Sequence, residues 1–298
     1  MPALPVTRST SPVASADAAR QLVLGERAYD ITARTLVMGI LNRTPDSFYD
    51  KGETFALDRL VERAAVLVDE GADILDVGGV KAGPGPDVGE AEELDRVIPA
   101  LAALRERFDI PLSVDTWRAS VLAEACAVGA VVGNDISGFG DPDYLTVAAA
   151  HGASVVATHI RLKPRVADPD PHYDDLVGDV AAFLVARADA ARDAGIARER
   201  IMLDAGLDLG KTPAQSAVLL REHARLAELG FPLFLSASNK RFLGAVLDLE
   251  LTDRREVSLA SVAYGIERGC RIVRVHDVGG SVRVARMTQA LLEARWRA

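Results

Sequence analysis

The chain has 298 residues, 49% of them hydrophobic and 26% charged, with a formal net charge of −9. That length suits one large α/β barrel or two smaller domains, and the acidic balance argues against a general nucleic-acid or anionic-membrane binder while leaving room for a local cationic pocket. The two cysteines, Cys126 and Cys270, with no ligand-like Cys/His spacing, argue against a disulfide framework and against structural zinc.

In chain order, residues 1–20 (MPALPVTRSTSPVASADAAR) lack an apolar core long enough for a signal peptide and read as a flexible tail. No run approaches roughly 18 apolar residues, so a cytoplasmic protein without a membrane span is expected. The stretch 21–32 (QLVLGERAYDIT) reads as a β-hairpin turning at Gly25–Glu26, placed to plug the base of a barrel. From residue 35 onward two patterns alternate. Short β-branched runs fall at 36–41, 73–77, 111–115, 130–134, 154–158, 201–204, 232–236 and 271–276. Helical stripes fall at about 56–70, 90–107, 118–128, 143–150, 174–194, 213–229, 241–268 and 281–297. Gly71, Gly129, Gly152, Gly195, Gly230 and Gly269 each close a helix where a left-handed cap is wanted. This alternation predicts a single (β/α)8 TIM barrel over 21–298; a doubly wound open sheet is the competing arrangement.

A barrel places its reactive groups at the C-terminal strand ends, on the inward face. Side chains alternate along a strand, so Ile272, Arg274 and His276 share one face while Val273 and Val275 share the other. The same parity groups Ile40 with Asn42, Ser113 with Asp115, Val132 with Asn134, Met202 with Asp204, and Ala157 with His159. Each polar residue alone is ordinary, an aspartate as a cap and a histidine as a satisfied core group; their convergence at one rim is what points to a site. Asp115, Asn134 and Asp204 suit a flat nitrogen heterocycle displaying N–H groups, such as a pterin or a purine. Lys240 could supply a cation or bind a ring carbonyl. Arg274 and His276, with Asn42 across the mouth, suit an anion such as phosphate.

GLDLGKT (206–212) is one residue too short for a phosphate-binding Walker A loop, and reads instead as a turn in which Thr212 caps a helix that starts at Pro213. DVGGVKAGPGPD (76–87) follows a strand carrying one carboxylate, Asp76, and is rich enough in glycine and proline to move.

GILNRTPDSF (39–48), DVGG (76–79), SVDT (113–116), NDISG (134–138), DAGLDLGKT (204–212), SNKRFLG (238–244) and RIVRVHDV (271–278) resemble, in order, the motifs of the dihydropteroate synthase family. The resemblance implies a (β/α)8 fold, usually a homodimer. It also implies condensation of p-aminobenzoate with 6-hydroxymethyl-7,8-dihydropterin pyrophosphate, which expels pyrophosphate. Carried over by position, it implies pterin contacts from Asp115, Asn134, Asp204 and Lys240. Pyrophosphate contacts would come from Asn42, Arg274 and His276, with Asn42 also near Mg2+.

The departures from the family pattern cluster. The family's loop reads D-I-G-G-E-S-T-R-P-G, whose Thr and Arg help close the site; here Ala82 and Gly83 stand at those positions and Val80 at that of the Glu. DPGxGFGK has become DAGLDLGK, with Asp208 for a glycine and Leu209 for the aromatic on the p-aminobenzoate side. GxSRKS has become SASNKR, with Ser236, Asn239 and Arg241 at altered positions, and Arg43 replaces a small apolar residue. Thr158 and His159 keep their places in THIRLKPR. The pterin floor and phosphate grip therefore match, while the second-substrate wall and its closing loop do not. The expected protein is a divergent paralogue that keeps the pterin pyrophosphate pocket with weak or lost synthase activity. A working synthase with a rewired loop is the second reading, and Arg43 and Arg241 are candidates to replace the missing cation. Methyl transfer from a reduced folate and a purely partner-binding barrel stand further off.

Overall fold

A computed structural model describes residues 21–44, 56–83 and 85–294. The tail expected over 1–20, residues 45–48 of the first motif and residues 295–297 of the last helix lie outside the described residues. The apolar runs form a closed parallel barrel of eight strands in the order β10-β3-β4-β5-β6-β7-β8-β9. These are β3 (Leu36–Asn42), β4 (Ile74–Gly78), β5 (Leu112–Asp115), β6 (Ala130–Asp135), β7 (Ser154–Thr158), β8 (Ile201–Asp204), β9 (Leu233–Leu235) and β10 (Cys270–Val275). Helices lie between them: α1 (Leu57–Asp69), α2 (Glu90–Arg107), α3 (Ala119–Ala127), α4 (Tyr144–Ala150), α5 (Leu176–Asp193), α6 (Pro213–Arg221), α7 (His223–Ala227), α8 (Arg241–Leu247), α9 (Arg255–Glu267) and α10 (Val278–Ala294).

Barrel strands are covered on both faces, so their side chains divide into two cores. Val37, Leu75, Val114, Val155, Leu203, Leu235 and Val273 pack outward under the helices. Leu36, Met38, Ile74, Val132, Val156, Met202, Phe234 and Ile272 fill the inside. The hairpin β1 (Gln21–Leu24) and β2 (Arg27–Asp30) turns at Gly25 and closes the bottom. Leu22, Leu24 and Ile31 insert into the inner core from below, each worth roughly 1.5–3 kcal/mol of burial. Ser154 Oγ donates to Val23 O at 2.5 Å and Arg200 Nη2 to Gly25 O at 2.9 Å, which fixes the plug in place.

All six helix-closing glycines have positive φ. Thr212 forms a capping box with Gln215, and Pro213 takes the first helical position, so the Walker-like stretch is a helix start. Two long predicted helices are broken. The 213–229 stripe divides into α6 and α7. The 241–268 stripe stops at Asp248, which enters the left-handed region (φ 54) while Leu249 N bonds back to Gly244 O at 2.9 Å. Arg254 Nη2 donates to Leu249 O at 3.2 Å, so the turn is held by a side chain that periodicity does not register. Parity fails on β7. Ala157 lies in the outer core and Val156 in the inner one, so Thr158 points to the mouth and His159 away from it. Adjacent valines at 155 and 156 pack on both faces, which hides the phase of this strand.

Candidate active site at the barrel mouth

Above the inner apolar layer the next inward positions are polar. Strand register sets Asn42 beside Gly78, Gly78 beside Asp115, and Asp115 beside Asn134. Thr158 stands beside Asp204, and one layer lower Asp76 stands beside Ser113. Parallel pairing therefore delivers four of the predicted residues from four strands to one rim.

A charge network joins them. Arg274 Nε donates to Asp76 Oδ2 at 2.6 Å and Nη2 donates to Asp115 Oδ2 at 2.8 Å. Asn134 Nδ2 donates to the same Asp76 oxygen at 3.1 Å. Two carboxylates thus share one guanidinium. Burial, reinforced by neighbouring Asp76, pushes Asp115 well above the usual carboxylate range, to about 7, although Arg274 pulls the other way. Burial opposes the charge on Arg274, but Asp76 and Asp115 outweigh it and hold its pKa above the ordinary value. Asp76 Oδ1 and Ser113 Oγ are buried and have no hydrogen-bond partner among the described residues. A buried acceptor without a donor is costly, so Asp76 Oδ1 marks a place where a ligand N–H would be satisfied. Asp76 was not among the sequence-predicted site residues, although its in-phase place between Ile74 and Gly78 was readable.

Asp204, 3% exposed, accepts from Gly206 N at 2.8 Å. Lys240 Nζ donates to Leu207 O at 2.6 Å. Burial lowers the Lys240 pKa, opposed by the nearby carboxylates, first Asp204 and then Asp208. His276 Nδ1 lies 3.0 Å from Ser238 Oγ, which also accepts from the His276 amide at 3.2 Å. Behind the mouth, Lys211 Nζ sits 2.8 Å from His159 Nδ1 and donates to Gly206 O and Leu209 O, both at 2.9 Å. Burial, then the charge of Lys240, lowers Lys211 to about 7; burial, then Lys211, lowers His159 to about 3. His159 is therefore a neutral acceptor that packs edge-on against Phe183, with ring centroids 4.8 Å apart. It is a wall residue, correcting its expected place on the inward face.

Among the described residues no group of three His, Cys, Asp or Glu side chains could hold a metal ion. Asn42, which the resemblance links to Mg2+, nevertheless has a carboxylate nearby. A Cβ built on Gly78 would lie 3.4 Å from Asn42 Oδ1 and 3.6 Å from Asp115 Oδ2, so the two oxygens face one gap that only glycine leaves open. Asn42 Oδ1, an amide oxygen, fits Mg2+ when phosphate oxygens and water supply the remaining ligands, while Asp115 Oδ2 is held by Arg274 Nη2 at 2.8 Å.

The loop after β4 is tied down from the opposite side. Arg165, in the β7–α5 connection, donates Nη1 to Lys81 O at 3.1 Å and Nη2 to Pro86 O, and its amide donates to Ala82 O at 3.2 Å. No local signal in the sequence couples residues so far apart. Arg43 follows Asn42 at the mouth, its amide donating to Gly78 O at 2.8 Å, and its guanidinium donates to Arg96 O at 2.8 Å and Asp95 O at 3.1 Å on α2. Asp208 and Asn239 occupy left-handed backbone (φ 66 and φ 60), where an L side chain needs local support. Asp208 has it from Ser216, whose Oγ accepts the Asp208 amide at 3.0 Å, and Asn239 from Ser258, whose Oγ accepts its amide at 3.0 Å.

A family model described as pterin binding enzyme matches residues 38–276. A dihydropteroate synthase from Synechocystis is 42% identical over 279 residues, covering 93% of this chain and 95% of the relative. A protein named inactive dihydropteroate synthase 2, from Mycobacterium leprae, is 40% identical over 268 residues, covering 88% of this chain and 92% of the relative. The crystal structure of Yersinia pestis dihydropteroate synthase with a sulfonamide drug superposes with a TM-score of 0.87 at 36% identity, covering 92% of this chain and 99% of that one.

Proposed function

Because the chain belongs to the pterin binding enzyme family, as a relative of dihydropteroate synthase, we propose that it binds 6-hydroxymethyl-7,8-dihydropterin pyrophosphate at the barrel mouth and condenses it with p-aminobenzoate weakly or not at all. Asp115, Asn134, Asp204 and Lys240 hold the pterin, and the acceptor Oδ1 of Asp76 adds a further contact to its N–H edge. Asn42, Arg274 and His276 hold the diphosphate, with Asn42 as the protein ligand to Mg2+. In the family reaction the amine nitrogen attacks the pterin methylene, the C–O bond breaks and pyrophosphate leaves with the electron pair. Asp76 and Asp115 face the positive charge that builds on the pterin side, and Arg274 and His276 face the leaving group. Bound Mg2+ would add neutralising charge on the diphosphate.

One observation carries the loss of activity. The described residues of the loop, Val80 to Gly83 with Gly85 and Pro86, hold no hydroxyl and no guanidinium. Removing one donor to a transition-state anion costs about 10²–10³ in rate, and two donors and an aromatic wall differ here. Cytoplasmic residence and a homodimer accompany this reading. The exposed Val246, Leu247, Met287 and Leu291 on α8 and α10, each 57–63% exposed, offer an apolar face for a second copy. The alternative, a working synthase with a rewired loop, draws support from Arg165, whose guanidinium lies against the loop that lacks its own arginine. Calorimetry with pterin pyrophosphate and a pyrophosphate-release assay with p-aminobenzoate separate the two. Binding with turnover at least about 100-fold below an ordinary synthase is expected; ordinary turnover establishes the alternative.

A further inference from the structure

A cavity of about 270 Å³ opens beside the mouth, between the loop after β4, the β7–α5 connection and the turn after β8. Four basic side chains line it, Lys163, Arg165, Lys211 and Arg241, and Lys211 spends its ammonium on His159 Nδ1 and the carbonyls of Gly206 and Leu209. Asp168 and Asp208 line it too. Asp168 is neutralised by Arg161, which donates Nη2 to it at 2.6 Å and Nε to its other oxygen. Asp208 turns its oxygens to Ser216 Oγ and to Phe242 N, each at 3.3 Å. Among the described residues, no carboxylate pairs with Lys163, Arg165 or Arg241. Arg165 spends both terminal nitrogens on backbone carbonyls, which leaves its charge uncancelled. Arg241 opens α8, where a cation meets the positive end of the helix dipole and gains nothing from it. Even with Lys211 set aside, three cations therefore outnumber Asp208, the one lining carboxylate not held by an arginine. The apolar part of the wall is aliphatic, Leu209 included.

A singly charged arylamine acid does not need this lining. We propose that the cavity takes a second ligand bearing at least two anionic groups, carboxylate or phosphate, in place of p-aminobenzoate. Only its role as the partner of a pterin rests on the reading of the mouth given above; its charge preference does not. The full chain is titrated by calorimetry with 4-aminobenzoate, 5-aminoisophthalate and 4-aminophenyl phosphate at low and moderate salt. The dicarboxylate is expected to bind at least tenfold tighter than the monocarboxylate, about 1.4 kcal/mol, with an advantage that shrinks as salt rises. Arg241→Ser and Lys163→Gln, both at exposed positions, each reduce that advantage several-fold. A phosphate ester tighter than the dicarboxylate assigns a phosphorylated ligand, and a weaker one assigns a polycarboxylate. Equal affinity for the two carboxylates, an advantage unchanged in both variants, or no binding of any probe overturns the proposal. Pterin pyrophosphate is titrated separately against wild type and Arg241→Ser. Its failure to bind wild type overturns the reading of the mouth while the dianion preference stands or falls on its own data, and its retention in the variant shows the fold intact.

Discussion

Arg274 Nε donates to Asp76 Oδ2 at 2.6 Å, joining the last barrel strand to the second across 198 residues of chain. Its Nη2 meets Asp115 at 2.8 Å, so one guanidinium holds two inward carboxylates that would otherwise repel. Arg274→Met leaves both without a counter-charge, and a loss of about 3–5 kcal/mol is expected from breaking a buried pair. The loss depends on pH. Burial raises the folded pKa of Asp115 above its unfolded value, so its ionisation costs stability as pH rises through that interval and costs nothing below it. Removing Arg274 removes the main influence that favours the ionised form, so denaturant unfolding should show a larger deficit at pH 8 than at pH 5. Equal deficits at both values would show that the network does not act electrostatically.

His159 gives a prediction of opposite slope. Burial, with Lys211 2.8 Å away, holds its folded pKa at about 3, below the unfolded value. The unfolded chain then binds a proton that the fold refuses, and stability falls as pH drops from about 6.5 towards 3. His159→Gln keeps an acceptor for Lys211 and removes this titration. Its acid limb should be flatter than wild type by up to about 1.4 kcal/mol per pH unit. Urea midpoints from pH 7 to 4 measure it, and parallel curves would refute the coupling.

Much of this architecture was legible because parallel barrels repeat one local rule. Strand parity put Arg274 on the face opposite Val273 and Val275, which is where it lies. Each helix-closing glycine adopts the positive φ that its place after an apolar stripe demanded. The rule fails where both faces of a strand are apolar. Val155 and Val156 carry no phase, and His159 was accordingly assigned to the mouth when it packs against Phe183. It fails again where the deciding contact is distant. Nothing near residue 43 says that Arg43 will lie along α2, and nothing near residue 82 says that Arg165 will hold the loop.

Arg165 is expected to set the mobility of that loop. Its guanidinium bonds Lys81 O and Pro86 O, while only its amide reaches Ala82 O. Arg165→Ala removes the two side-chain bonds and leaves the backbone one. Each is worth about 1 kcal/mol, so amide exchange across residues 80–86 should quicken by about tenfold or more in hydrogen-exchange mass spectrometry. Affinity for pterin pyrophosphate should be unchanged, because Arg165 faces the neighbouring cavity and not the Asp76–Asp115 floor. Unchanged exchange would mean that the glycines and prolines of the loop hold it unaided.

The loop can also be rebuilt. A Cβ on Gly83 would meet nothing within 4 Å and its φ is not in the left-handed region, so an arginine is accommodated there without strain. Ala82 is exposed and accepts a threonine as readily. A new arginine at 83 would face Arg165 and Arg241 across the same cavity, and like charges would push it outward. Arg241→Ser relieves that repulsion, and Leu209→Phe restores an aromatic wall. The combined variant Ala82→Thr, Gly83→Arg, Leu209→Phe, Arg241→Ser should raise pyrophosphate release with p-aminobenzoate by about 10²-fold or more, the scale of one recovered transition-state donor. The single Gly83→Arg change should give much less, because its guanidinium is repelled. A quadruple variant that binds pterin pyrophosphate as tightly as wild type yet gains no turnover would place the lost step outside the loop and its facing wall, in the diphosphate grip of Asn42, Arg274 and His276.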